Sequence, residues 1–495
     1  MTAGRVLVID LNNYARYPTL AIGYLIAPLR MAGFDVKLVS PLAQGQTGIM
    51  REREENYVDH MKRMLYFTPP RAVAPLRDRL RNIHESWANR VDVKMRTLVT
   101  QALVENPCDV ILLSAYLQHW ELVEFVGDHA LRAGIPVLLG GPAFSDKRVA
   151  SEWVDIPGIN AVFGGEAELV IVDIVHAAIN RENLAAWQGA FVRGEGDEKC
   201  VGTPAVPLAN LDVLPPPDFD DFPWERYPHR IIPVMTGRGC GWGLCMFCSD
   251  VITSNGRTFR SRSLDHVLDE LERQSEKYQS KDFIFLDIKL NSHLPVWYGL
   301  IDNMQRRVPG ARWIGTVHVG VPGENGLDRE TLKRARESGL TRMSFGLESG
   351  SQRMLRRMSK GTRVESNSRF VEDASEAGIS VRSTMMVGYP SETTADVLET
   401  NNFLAKHRHQ IDRIHISRFK PIPGTRFENL YKRRPERFGD IRRLEWDYKF
   451  ARAEYEIESS TDPAYNSAVR ELARMVHLIN RSPLKDNAVQ FDGLM

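Results

Sequence analysis

The chain has 495 residues, 43% of them apolar and 26% charged, with a formal net charge of +1. That length is too great for one hydrophobic core and predicts two or three globular domains. The near-zero charge excludes a bulk electrostatic pull toward nucleic acid or an anionic membrane surface. Five cysteines are too few for a disulfide framework and fit a reducing compartment. No basic segment followed by an apolar stretch opens the chain, and no apolar run approaches the roughly 20 residues needed to span a bilayer. The expectation is a cytoplasmic protein.

In chain order, the first part alternates strand and helix patterns. Arg5–Asp10 predicts a strand, Leu20–Met31 an amphipathic helix ending at Gly33, and Asp35–Ser40 a second strand. Asp109–Ser114, Pro136–Leu139 and Ala161–Phe163 continue the series, with a helix over Trp120–Ala133. This rhythm predicts an α/β, doubly wound, Rossmann-like domain over residues 1–190, with ligands at the carboxyl ends of its strands. A charged, helix-prone stretch from about 44 to 106, interrupted by Pro69-Pro70, reads as a helical insertion. Residues 191–230 read as a linker, rich in Pro, Asp and aromatics toward their end.

Six further strand patterns follow over residues 231–430. They are Ile231–Met235, Phe283–Asp287, Arg312–Val319, Met343–Glu348, Ser380–Gly388 and Arg413–Phe419. Helical segments separate them, which predicts a partial (βα)6 TIM-type barrel. Residues 431–495 are charged and read as a C-terminal helical region.

Arg238-Gly-Cys240-Gly-Trp-Gly-Leu-Cys245-Met-Phe-Cys248 holds three of the five cysteines within nine residues, directly after the first barrel strand. Loops at the C-terminal ends of strands carry barrel chemistry. Gly241 and Gly243 let the backbone bend so that three sulfurs converge. Three thiolates suit one soft metal centre. A structural zinc site normally needs a fourth Cys or His, and His229 is the nearest histidine in the sequence.

Arg-Gly-Cys followed by Cys-x-Phe-Cys after a strand resembles the radical S-adenosylmethionine (SAM) enzymes. Their usual spacing is Cys-x3-Cys-x2-Cys; the extra residue in the first gap resembles variants among cobalamin-binding members. Four downstream motifs strengthen the likeness. Gly346-Leu-Glu348-Ser-Gly350-Ser, with Met358-Ser-Lys360-Gly361 beyond it, is similar to the family's fourth strand and following loop. Met386-Val-Gly388-Tyr-Pro390-Ser-Glu392-Thr393 is similar to the Gly-x-Pro-x-Glu-Thr signature. Pro421-Ile-Pro423-Gly424-Thr425 is similar to the motif after the sixth strand, and Phe285-Leu-Asp287 holds the second-strand position.

The resemblance implies that Cys240, Cys245 and Cys248 hold a [4Fe-4S] cluster. It implies that Phe247, Asp287, Glu348, Gly388 and Pro390 contact SAM: the aromatic and the Gly-x-Pro turn near the adenine, Asp287 at the methionine amine, Glu348 at the ribose hydroxyls. The N-terminal domain resembles the cobalamin-binding class. The residues implied there are Asn12, Asn13, Ser114, Gly140, Gly141, Gly164 and Glu166. The cobalt-ligating His of an Asp-x-His-x-x-Gly motif has no counterpart after the first strand. The function implied is reductive cleavage of SAM to a 5′-deoxyadenosyl radical, hydrogen abstraction from an unactivated carbon, and methyl transfer from methylcobalamin. Cyclisation, ring contraction or oxidation without methylation is an alternative, and so is a non-catalytic iron–sulfur or zinc scaffold. Expected partners are a small-molecule or peptide substrate and an electron donor such as flavodoxin or ferredoxin, with no nucleic acid and no membrane span.

Overall fold

A computed structural model describes residues 3–11, 16–40, 53–67, 93–196, 198–250, 259–320, 323 and 325–494. In its first half, β1 (Arg5–Asp10), β2 (Asp35–Val39), β3 (Val110–Ser114), β4 (Val137–Gly140) and β5 (Ile159–Phe163) pair in parallel in the order β2-β1-β3-β4-β5. The Val-, Ile- and Leu-rich runs of β1, β3 and β4 are buried on both faces, as crossover helices on each side require, while the edge strand β2 leaves Asp35 and Lys37 exposed. The order reverses between β1 and β3. In a doubly wound sheet that is where a ligand crevice opens, beyond the carboxyl ends of the strands.

Two antiparallel strands, β6 (Ala190–Arg193) and β7 (Cys200–Gly202), extend this sheet. The domain therefore runs past residue 190, and the first part of the expected 191–230 linker is a sheet edge. Cys200 is buried there. The expected insertion over 44–106 also divides. Its last stretch, 93–105, is a helix whose Met95, Val99 and Ala102 are buried in the sheet's own core. The helix Tyr57–Phe67 instead packs on the C-terminal helix Pro463–Asn480. Residues 41–52 and 68–92 lie outside the described set.

The second sheet begins with β8 (Ile231–Val234). A two-residue ribbon follows, β9 (Gly237–Arg238) against β10 (Arg260–Ser261). Then come β11 (Asp282–Phe285), β12 (Arg312–Val317), β13 (Leu340–Glu348), β14 (Ser380–Val387) and β15 (Arg413–Arg418). All six main strands are parallel, in the order β15-β14-β13-β12-β11-β8. Pro233 lacks an amide donor, and β8 is an edge strand that pairs only with β11, so none is missed. At the other edge Asn480 does the work of a strand. Its side chain accepts from Ile414 N (2.7 Å) and donates to Ile414 O (2.9 Å). Phe491 and Leu494 of the tail pack against Ile231, Ile284 and Ile314.

The C-terminal region is not purely helical. β16 (Ile441–Asp447) and β17 (Arg452–Ile457) form an antiparallel hairpin ahead of the helix Pro463–Asn480. The hairpin turn reaches the N-terminal domain, where Trp153 Nε1 donates to Lys449 O (2.8 Å) and the Lys449 ammonium lies 3.5 Å from the Trp120 ring centroid. Alternation of charged and half-buried residues marks this ribbon in hindsight, but its charge density reads as helix.

Candidate functional site

The cysteine loop leaves β8 through Met235 and Thr236 and is pinned from three directions. Met246 N donates to Met358 O (2.9 Å), Phe427 N to Met246 O (2.8 Å), and Trp242 Nε1 to Ser359 O (2.9 Å). Gly361 must be glycine for that last contact. A Cβ there would lie 2.3 Å from the indole, and its φ is +71°. Gly243 sits at φ +57°, the bend the loop needs between its first two cysteines. Cys240, Cys245 and Cys248 are all half-buried and line one cavity of about 1300 Å³. Burial pushes the Cys245 thiol up to about 11, and the Lys360 charge acts against that rise.

Across the cavity from the loop, Lys360 Nζ donates to Glu348 Oε1 at 2.8 Å. Glu348 is held in the left-handed region (φ +59°), where β13 slips register between Gly346 and Glu348. Such a backbone persists in a non-glycine residue only where its surroundings over-determine it, and it marks functional sites. Gly346 makes room for the pair: a Cβ there would fall 2.2 Å from Glu348 Oε1 and 2.5 Å from Lys360 Nζ. Lys360 is buried, its pKa raised because Glu348 and the nearby thiols Cys245 and Cys248 outweigh desolvation. Phe247 is half-buried, its ring 5.8 Å from Lys360 Nζ.

Asp287, just past β11, is buried. It accepts from Thr236 N (3.0 and 3.1 Å) and Thr236 Oγ1 (2.6 Å). Burial nevertheless raises its carboxyl to about 6. Asp287 and Glu348 thus face the same cavity as the cysteines. Gly388 and Pro390 do not line it. Gly388, at φ +81°, donates its amide to Glu392 Oε2 (2.5 Å), which Tyr465 of the C-terminal helix also holds (2.6 Å). Burial raises Glu392 to about 7.

Sequence reasoning missed three groups in this wall. His318, after β12, stacks on Trp242 (centroids 6.2 Å, 19°), and burial holds its imidazole down to about 3. Asp250 lines the cavity beside Cys248, and desolvation raises its carboxyl. Lys289 lines the wall two residues beyond Asp287. Proximity in sequence to Cys248 and Asp287 was the only available signal for the last two.

On the N-terminal side, Tyr17 and Tyr116 line the cavity. They follow β1 and β3, the two strands at the reversal of sheet order. The residues the sequence singled out there fare differently. Asn12 and Asn13 lie outside the described residues. Ser114 ends β3, where its carbonyl accepts from Leu11 N (2.8 Å). Gly140 has nothing within 4 Å of an added Cβ. Gly141 and Gly164 are small for packing reasons: their Cβ atoms would lie 2.5 Å from Ala115 O and 2.1 Å from Phe144 O. Glu166 is about nine-tenths buried, in ion pairs with Arg238 (3.3 Å) and Arg260 (2.7 Å), and accepts from Leu208 N (2.6 Å).

Residues 234–404 match the Radical SAM superfamily. The chain is 30% identical over 298 residues to an uncharacterised methyltransferase of Pyrococcus horikoshii, covering 59% of this chain and 61% of that protein. It therefore spans under two thirds of that relative. It is 27% identical over 347 residues to the bacteriochlorophyllide d C-12(1)-methyltransferase of Chlorobaculum tepidum, covering 68% of each. The radical SAM methyltransferase TsrM of Kitasatospora setae, solved with tryptophan and a SAM analogue, superimposes with a TM-score of 0.66 at 16% identity. That match covers 95% of this chain and 88% of TsrM, a likeness of fold across both domains. Residues 234–404 thus form a radical SAM domain, and the fold of the chain as a whole is similar to that of TsrM.

Proposed function

We propose that this protein is a cobalamin-dependent radical SAM enzyme that removes hydrogen from an unactivated carbon and places a methyl group there. The observation that carries the reading is the cavity. One space of about 1300 Å³ is walled by three thiols, by Asp287, Glu348 and Lys360, and by Tyr17 and Tyr116 of the other domain. Pockets for a single small ligand usually span roughly 300–1,000 Å³, so this one has room for more than one reactant.

The residues fit the groups implied. Three soft thiolates suit an iron–sulfur cluster with one iron open. Among the described residues, no three His, Cys, Asp or Glu side chains converge as the ligands of a single metal ion do, which argues against one zinc. His229, the nearest histidine in sequence, is exposed and does not line the cavity. The open space beside Gly140 at the carboxyl edge of the first sheet suits a corrin's nucleotide tail.

Bound there, a cluster would supply the electron that cleaves the SAM sulfonium, and a methylated corrin the methyl group. The chain's own work is positional. The Asp287 carboxylate, fixed by Thr236, suits an ammonium group. Glu348, locked by Lys360, has a second carboxylate oxygen for ribose hydroxyls. Phe247 offers a ring face for an adenine. Lys360 favours thiolate at Cys245. A small-molecule or peptide substrate and a flavodoxin- or ferredoxin-type donor complete the proposal.

Metal and sulfide analysis on protein purified without oxygen and offered hydroxocobalamin tests it. The expected result is about four irons, four sulfides and one cobalt per chain, with methylated product heavier by one CH₂ unit. Zinc without iron overturns the reading. Iron without cobalt removes the corrin from it.

A further inference from the structure

Both ends of the cysteine loop hang from a single turn of the N-terminal domain. The chain enters the loop at Arg238 and leaves it at Arg260, paired side by side in the β9–β10 ribbon. Arg238 meets Glu168 at 2.6 Å and Glu166 at 3.3 Å; Arg260 meets Glu166 at 2.7 Å. All four side chains are about nine-tenths buried. The turn that supplies the carboxylates, residues 164–168, leaves the carboxyl end of β5. Gly164 packs the turn closely against Phe144, where a Cβ would lie 2.1 Å from Phe144 O. A second contact comes from the helix that follows β1: the Arg238 guanidinium lies 5.8 Å from the Tyr24 ring, and Arg262 NH1 donates to Tyr24 Oη (3.4 Å) and Met235 O (2.9 Å).

Resting on the function proposed above, we infer that Glu166 and Glu168 are positioning residues that couple ligand loading of the N-terminal sheet to SAM binding at the cluster. The ribbon is the shared element. Its arginines are fixed by segments that continue from the carboxyl edge of the first sheet, where a doubly wound domain takes its ligand. Its other end is Cys240, two residues beyond Arg238. A rearrangement of the turn on ligand binding moves both ends of the loop together, and ion pairs this buried transmit it because breaking one is costly. Coupling of binding is reciprocal, so each ligand tightens the other by the same factor.

The test is equilibrium binding of SAM to the reconstituted iron–sulfur protein, with and without hydroxocobalamin. Wild type should show a change in SAM affinity of about fivefold or more. In Glu168→Gln, and separately in Arg238→Lys, iron content and cobalamin uptake should persist while the factor falls below about twofold. Asp218→Asn is the control. It breaks an ion pair from Asp218 to Arg30 of the N-terminal domain (2.9 Å) and touches neither ribbon nor loop; it should keep the wild-type factor. An unchanged factor in both ribbon variants, or no factor in wild type, overturns this inference alone. Protein that takes up iron but no cobalamin overturns the corrin reading, and this inference with it.

Discussion

The two parallel sheets present their carboxyl edges to the same cavity, yet they are built on opposite principles. At the edge of the first sheet buried charge is met by a partner: Asp10, at the end of β1, accepts from Thr19 Oγ1 (2.7 Å). Gly141 and Gly164 are small because backbone crowds them, and Glu166 is neutralised by two arginines. At the edge of the barrel the chain carries cost: Glu348 at positive φ, Lys360 and Asp287 buried, His318 kept neutral. A carboxyl edge is only a location. Chemistry is prepared where burial and backbone strain are tolerated, and here that is the barrel. The first sheet adds Tyr17 and Tyr116 to the cavity wall and pairs Glu166 and Glu168 with the arginines that flank the cysteine loop.

The largest effect that tests this contrast is removal of a thiol. Cys245→Ala deletes one of the cavity's three soft donors, and loss of bound iron, together with loss of all SAM cleavage, is expected on anaerobic reconstitution. Full iron retention would show that the cluster is held elsewhere. Next comes the strained pair. Lys360→Met leaves the Glu348 carboxylate buried and unpaired, and breaking such a pair costs about 3–5 kcal/mol. The urea midpoint should fall clearly, and SAM affinity should fall by tens of fold. Glu348→Gln keeps the shape and should lose affinity with a smaller loss of stability. If both variants bind SAM normally, the barrel edge is not the prepared site.

Much of the barrel edge was legible in the sequence because its chemistry is concentrated in short motifs. Three cysteines in nine residues, and Gly346-Leu-Glu348, speak through residue type and spacing alone. What escaped was set by pairing at long range. Nothing local marks His318 as the partner of Trp242, 76 positions away, or Lys360 as the partner of Glu348. The first sheet was legible as a fold, because buried strands read as β-branched runs. Its ligand contacts were not. Small residues at a strand end serve a ligand or a neighbouring backbone equally well, and Gly164 turned out to face Phe144 O. The β6–β7 edge and the β16–β17 hairpin were missed because short two-stranded pieces carry weak periodicity, and the β16–β17 charges mimic an exposed helix.

Two glycines sharpen the contrast within the first sheet itself. Gly164→Ala should destabilise by about 1–3 kcal/mol through backbone overlap, visible as a lower urea midpoint. Gly140→Ala has nothing to meet and should stay within about 0.5 kcal/mol of wild type. Hydroxocobalamin titration then reads what stability does not. Weakened uptake in Gly140→Ala alone would assign the open space to the corrin. Unchanged uptake would leave the sheet edge as wall only.

The last test is the pH dependence of Asp287. Its folded carboxyl is raised to about 6, above the ordinary value of 3.8, because desolvation outweighs the Thr236 hydrogen bonds. Between pH 4 and 6 the folded state therefore binds more protons than the unfolded one, so stability falls as pH rises through that window. The sign for ligand binding is opposite. A carboxylate must be ionised to hold an ammonium group, so SAM affinity should rise from pH 5 to pH 7, by about tenfold for a group titrating near 6. Asp287→Asn should flatten both profiles, gaining stability relative to wild type at neutral pH while binding SAM weakly throughout. An unaltered affinity profile in Asp287→Asn would move the ammonium contact to another wall residue. The buried carboxyl would then belong to the fold, and the contrast between the two sheet edges would narrow to the cysteines and the Glu348–Lys360 pair.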